Sequence, residues 1–277
     1  MPYRLIAFDL DGTLLDEDKK IPEENVKALE KAAGQGLLLV PATGRIMPGL
    51  PEELLRLPFL RYFICSNGAS VYDRQEDRVL YREEIPAELA LRVIEYMDKL
   101  PVIYDCYQYD MGWVSADMYD RAEEYFEDLP FMLELFHRLR RKVDSLPETL
   151  RQRGDGIQKL QMHFKTQDLD EKQRQLRILP ALFPQIAFTT SVRNNIEMNS
   201  QGANKGKALA ALCKRLSIDI RETIAFGDGT NDTALLKAAG LGIAMANADA
   251  QVKAAADRVT ASNREAGVAM ALKELLG

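Results

Sequence analysis

The chain is poor in the residues that build several common sites. Its 277 residues include only two histidines, His137 and His163, so a histidine-rich metal centre cannot form within one chain. A serine–histidine triad would have to use one of these two, and no GxSxG turn is present. The three cysteines, Cys65, Cys106 and Cys213, lie far apart with no CxxC pair. That pattern argues against a disulfide scaffold or a zinc ribbon and fits a reducing compartment. No apolar run approaches the roughly 20 residues of a membrane span, and the opening stretch has neither the length nor the cleavage site of a signal peptide. Excess positive charge is missing too: 36 Lys and Arg stand against 42 Asp and Glu, a net charge of −6. A nucleic-acid backbone favours a basic surface, so no nucleic-acid partner is expected. These absences lead us to expect a cytoplasmic protein with no membrane partner.

What is present describes a globular enzyme-sized chain, with 47% hydrophobic and 28% charged residues. The first 82 residues alternate between strands and a helix. Tyr3–Phe8 is a β-prone run ending at Asp9, 22–33 reads as a helix opened by Pro22, and 37–40 and 62–65 read as buried strands. The carboxyl-terminal part repeats this style, with helices over 205–216, 232–239, 248–256 and 267–276. Strands are expected between them at 223–226, 241–246 and 258–260. Strands alternating with helices imply an α/β fold on a doubly wound parallel sheet, Rossmann-like in style. The middle differs. Residues 83–192 read as an α+β insert, with a helix over 88–100, a hairpin from 102–108 to 113–116, and strands at 157–165 and 186–192. The expected division is a core of 1–82 and 193–277 around an inserted domain of 83–192. The core sums to zero charge. Within the insert, 83–134 carries −11 and 135–192 carries +5.

Two aspartate-rich turns follow predicted strands. DLDGTLLD, residues 9–16, places Asp9 and Asp11 two positions apart, and Gly12 permits a turn and close approach to an anion. GDGTND, residues 227–232, places Asp228 and Asp232 around a glycine-bearing turn that opens a helix. Carboxylates from separate loops suit a hard cation such as magnesium. An ordinary Asp-rich turn and a capped helix are the plain alternatives. An EF-hand fails on spacing, because Gly12 falls at loop position 4 and Lys20 at position 12. Neither GxGxxG nor a Walker loop fits the glycines present. Thr43, in ATGR, follows another strand, and Lys205, in NKGK, opens a helix. The carboxyl ends of the strands of a doubly wound sheet share one edge. That edge could gather an acid pair, a metal carboxylate, a hydroxyl and a cation, the set that phosphoryl transfer needs.

With DLDGTLLD, ATGR, SNGA (66–69), the NKGK lysine and GDGTND in this order, the chain resembles the haloacid dehalogenase superfamily. Within it the chain resembles the Cof-type branch of sugar- and cofactor-phosphate phosphatases. The resemblance covers most of the chain. It implies that Asp9 is a nucleophile, that Asp11 is the general acid and base, and that Thr43 and Lys205 complete the catalytic set. It implies a Mg2+ held by Asp9, the Asp11 carbonyl and Asp228, with Asp232 as ligand or support. Leu10, Gly44, Arg45, Asn67 and Asn231 become substrate-binding or supporting positions, and the insert becomes a cap domain. The implied activity is hydrolysis of a small phosphorylated metabolite, of the sugar phosphate, flavin mononucleotide or pyridoxal phosphate kind. The protein would be a monomer or small homo-oligomer. A phosphomutase of the same superfamily and a non-enzymatic phosphometabolite-binding protein are the alternatives. Tyr104, Tyr107, Tyr109, Trp113, Lys159 and His163 are cap positions that could meet a substrate, although core packing is the ordinary role of such residues.

Overall fold

A computed structural model describes residues 3–277, which divide into two units. The first unit takes in the chain up to Arg45, Leu50–Arg82 and Asn204–Gly277. The second takes in Ile46–Gly49 and Glu83–Ala203.

The first unit is built on a five-stranded sheet. Its order is Arg258–Val259, Leu241–Ala244, Thr223–Gly227, Leu5–Phe8 and Leu38–Pro41, all parallel. The central strands LIAF and TIAFG are fully buried, which is why they read as unbroken apolar runs. Leu5 and Ala7 pack with Leu209 and Leu212 of helix Lys205–Leu216 and with Leu235 and Leu236 of helix Thr233–Ala238. Ile6 and Phe8 point to the opposite face and are equally buried. Helix Glu23–Gly34 packs against the terminal helix Gly267–Leu276. Residues 60–65, which include the strand Tyr62–Cys65, join this sheet through isolated parallel bridges, Leu39 to Leu60 and Ala42 to Ile64. That strand also begins an antiparallel ribbon with Ser70–Asp73 and Arg78–Arg82.

The second unit holds a six-stranded sheet. Its order is Ile186–Thr189, Asn195–Ser200, Lys159–Phe164, Val102–Gln108, Met111–Ser115 and Arg140–Val143. All pairs are antiparallel except the last. Val102–Gln108 and Met111–Ser115 form a tight hairpin whose turn residues, Tyr109 and Asp110, both have positive φ, the geometry that matches strand twist. One face of the sheet is apolar. Tyr104, Cys106, Leu160, Met162, Ile196 and Met198 pack there under helices Ala87–Met97, Leu146–Arg153 and Leu169–Leu182.

Several expected boundaries are corrected. The strand expected over 186–192 stops at Thr189, and a further strand, Asn195–Ser200, returns beside it. That strand sits inside the second sheet, so residues 193–203 belong to the second unit and not to the core. Ile46–Gly49 also groups with the second unit, so the first segment of the core is not continuous. The helix expected over 248–256 is only Ala250–Lys253, and the strand before it ends at Ala244. Among the described residues, no helix is long and apolar enough to cross a membrane.

Candidate active site

The loops that leave the parallel strands at their carboxyl ends carry most of the singled-out residues of the first unit. Asp9 directly follows Leu5–Phe8, and its N–H donates to the Phe226 carbonyl at 3.0 Å. Asp228 directly follows Thr223–Gly227. Because the two strands are in-register neighbours, both aspartates leave the sheet at one point. Carboxylate oxygens of Asp9, Asp228 and Asp232 lie within 4.8 Å of one another.

Lys205 makes this crowding possible. Its ammonium donates to Asp9 Oδ1 at 2.7 Å and to Asp232 Oδ1 at 2.5 Å, and its side chain is wholly buried. It is placed by the start of helix Lys205–Leu216, where the Asn204 side chain caps the Lys207 N–H at 2.9 Å. Gly206 lets this helix close on its neighbour, since a Cβ there would fall 2.7 Å from the Ala234 carbonyl carbon. The second oxygen of Asp232 accepts the N–H groups of Asp228 at 3.0 Å and Gly229 at 2.9 Å. Asp232 thus commits one oxygen to Lys205 and the other to shaping the loop. Thr13 donates its hydroxyl to Asp228 Oδ1 at 2.7 Å, and Gly12 sits against the same carboxyl group at φ +86°.

The electrostatics follow from this packing. Burial pushes Asp9 well above the usual carboxylate range, and the charges of Asp232 and Asp228 push it further against the pull of Lys205. Burial likewise raises Asp228 to about 6. Burial opposes the charge of Lys205, but Asp232 and Asp9 outweigh it and hold the ammonium above its ordinary value. Burial also opposes ionisation of Asp11. There the hydrogen bonds and charge of Arg45, with help from Lys19, win and hold it at about 2. An all-oxygen donor set with surplus negative charge in a confined space is what a hard divalent cation relieves. The residues present therefore fit magnesium, with Asp9 and Asp228 as the acids least committed elsewhere.

The remaining expected positions fall as follows. Asp11 turns its carboxylate to Arg45 and Lys19. Thr43 is buried. Its N–H donates to Ile64 O at 2.8 Å, its hydroxyl accepts the Arg45 N–H at 3.2 Å, and its carbonyl accepts the Asn67 N–H at 3.0 Å. Asn67 has φ 59°, and its side-chain oxygen accepts from Asn231 Nδ2 at 3.2 Å, so these two form a pair. The Leu10 side chain is fully buried, which leaves only its main chain for a ligand. Gly44 is half-buried between Thr43 and Arg45. Sequence reasoning missed Asn247. It follows the strand Leu241–Ala244 and donates to the Gly12 carbonyl at 2.8 Å. Its place after a parallel strand was the available signal. The candidates His163, Lys159 and Tyr104 are engaged within the second unit. His163 bonds Asp105 at 2.9 Å, Lys159 pairs with Glu197 at 2.8 Å, and the Tyr104 hydroxyl donates to Asp98 at 2.6 Å.

Comparison with known proteins shows the family. Residues 6–272 match the family described as haloacid dehalogenase-like hydrolase. Phosphatase YwpJ of Bacillus subtilis is 32% identical, covering 99% of this chain and 100% of its own length. The 5-amino-6-(5-phospho-D-ribitylamino)uracil phosphatase YcsE of the same organism is 29% identical over 98% of this chain and 94% of its own. Among solved structures, a phosphatase of the haloalkanoate enzyme superfamily from Bacteroides thetaiotaomicron is similar with a TM-score of 0.81. It is 26% identical, over 98% of this chain and 94% of that one.

Proposed function

The chain belongs to the haloacid dehalogenase-like hydrolase family as a Cof-type phosphatase, and from that premise we propose a magnesium-dependent reaction through an aspartyl-phosphate on Asp9. The observation that carries this reading is the buried Lys205 ammonium joining Asp9 to Asp232 beside Asp228. Lys205 fixes one Asp9 oxygen, which leaves the other to attack phosphorus while the bond to the leaving oxygen breaks. Asp11, after taking up a proton, gives it to that oxygen as the carboxylic acid. As the carboxylate it then takes a proton from water, whose oxygen displaces Asp9 from phosphorus. Thr43 and the main chain around Leu10 and Asp11 are assigned to the phosphoryl oxygens. Asn67, Asn231 and Gly44 support those loops. Asp9, the Asp11 carbonyl and Asp228 would hold the cation, and Asp232 would position the loop beside it. Magnesium, when bound, would offset the charge of these acids and of the phosphoryl group.

The substrate is a small phosphorylated metabolite. A sugar phosphate, flavin mononucleotide or pyridoxal phosphate fits the reading, and the ribitylaminouracil phosphatase relative keeps sugar-like chains in view. The second unit is assigned as the cap that selects among them. A phosphate-release screen over such metabolites with magnesium tests the reading. Asp9→Asn should remove turnover and leave the fold intact by circular dichroism. Full activity in that variant would end the mechanism.

A further inference from the structure

We infer that Arg45 is a positioning residue for the second half of the reaction, holding Asp11 as the oriented carboxylate that activates water. The inference rests on the reading of Asp9 and Asp11 above. Arg45 Nε donates to Asp11 Oδ2 at 2.8 Å and Nη2 donates to Oδ1 at 2.7 Å. Two parallel bonds from a planar guanidinium fix the plane of a carboxylate as well as its place, which a single ammonium cannot do. Lys19 adds one bond to Oδ1 at 3.0 Å. Its side chain is 44% exposed against 20% for Arg45, so Arg45 is the stronger holder.

Arg45 is itself anchored on both sides. Its N–H donates to the Thr43 hydroxyl at 3.2 Å, and its carbonyl accepts the Ser66 N–H at 2.9 Å. The main chain that carries the guanidinium is therefore tied to the loops after two neighbouring strands, Leu38–Pro41 and Tyr62–Cys65.

The pairing bears unequally on the two half-reactions. Both Asp11 oxygens accept hydrogen bonds, which is the arrangement of the base and not of the acid. Forming the aspartyl-phosphate uses the acid form, which cannot accept the guanidinium through both oxygens. Loss of Arg45 therefore spares the first step and slows the second. This role differs from the substrate-binding one that sequence suggested for Arg45. A substrate anchor acts on the first step.

Steady-state and rapid-mixing kinetics separate the two. p-Nitrophenyl phosphate with magnesium is the probe, because its leaving group needs no proton. For Arg45→Ala, kcat should fall about ten- to hundred-fold, the usual range for loss of a group that orients a reacting one. KM should fall with it, kcat/KM should change less than about threefold, and a burst of nitrophenolate near one per enzyme should appear. Arg45→Lys should lie between, and added guanidinium should restore part of the rate of Arg45→Ala. If Arg45→Ala does not fold, the burst is sought in Arg45→Lys, whose failure to show it overturns the proposal. A raised KM without a burst makes Arg45 a substrate anchor, and an equal fall in kcat and kcat/KM makes it structural. Either result overturns the inference. A wild-type enzyme that fails to turn over, or an active Asp9→Asn, would instead defeat the reading on which the inference rests.

Discussion

Three carboxylates converge in the first unit because one buried ammonium sits among them. Lys205 neutralises one oxygen each of Asp9 and Asp232, and the loop amides of Asp228 and Gly229 take the other Asp232 oxygen. The space left beside Asp228 is guarded by Gly12. A methyl group there would lie 2.7 Å from the Asp228 carboxyl carbon, at a φ of +86° that a side chain resists. Gly12→Ala should therefore lower kcat/KM by about a hundredfold or more, the cost of displacing a reacting group by about 1 Å. It should reduce stability by only ~1–3 kcal/mol. Kinetics paired with a urea melt would check that imbalance. Asp9 and Asp228 were legible in the sequence because each follows a short apolar run that can only be a buried parallel strand. Asn247 carries the same positional signal but was passed over, since the turn after Leu241–Ala244 reads as plain helix-start chemistry. The partner of Arg45 was not legible either, because nothing in ATGR says which acid, Asp11 or a ligand, the guanidinium meets.

At the scale of elements, the second sheet places charge where a core would normally be apolar. The face carrying Asp105, Lys159, Gln161, His163 and Glu197 is buried, while the alternate residues Tyr104, Cys106, Leu160 and Met162 form the apolar core. Asp105 is fully buried and accepts from Arg140 at 2.9 Å and Gln161 at 3.0 Å, with His163 at 2.9 Å. Burial disfavours its charge, but the Arg140 charge and the His163 hydrogen bond outweigh that and hold its pKa below the ordinary value. A depressed folded pKa gives stability that is present above the unfolded value, near about 3.9, and lost as pH falls through the folded value. Acidification below about pH 4 should therefore weaken the wild type. Asp105→Asn should remove this component of the pH dependence while costing about 3–5 kcal/mol at pH 7, because Arg140 is left buried without its anion. Denaturant melts from pH 3 to 7 on both proteins would test this. The same polar alternation explains why Asn195–Ser200 escaped the sequence reading. Its sequence, NIEMNS, offers only two strongly apolar residues, and its burial comes from neighbours contributed by distant chain. The parallel strands needed no such help, and their expected bounds were right to within two residues.

Over the whole molecule, the −6 divides in a way that the folded chain explains. The acidic stretch 83–134 and the basic one that follows meet inside the second unit, through Asp105 with Arg140, Asp120 with Lys142 and Glu124 with Lys165. Part of the charge asymmetry is thus paired within one unit, which still keeps the net −6. The first unit balances overall but keeps its local surplus at Asp9, Asp228 and Asp232. A cation bound there only in the folded state must stabilise it by mass action. Magnesium at about a hundred times its Kd would add about 2.7 kcal/mol. Calorimetry should show Tm rising by several degrees with magnesium and returning in chelator, and Asp228→Ala should show no such rise.

The continuous segment Glu83–Ala203 also begins and ends at one place, where the Ser200 hydroxyl donates to the Glu83 carboxylate at 2.7 Å. This closure bears on how the chain is made. Strand Leu5–Phe8 gains one neighbour early, at Leu38–Pro41, but its other neighbour is Thr223–Gly227. At about 5–20 residues per second of synthesis, the nascent half of the site waits on the order of ten seconds or more for the rest. In that interval Glu83–Ala203 has already been made, with all six strands of its sheet contained in it. Folding of that segment as a unit would tie its own ends together and shorten the loop that the core must close. In that case the inserted segment would act as a staple for a core whose early and late strands are far apart in sequence.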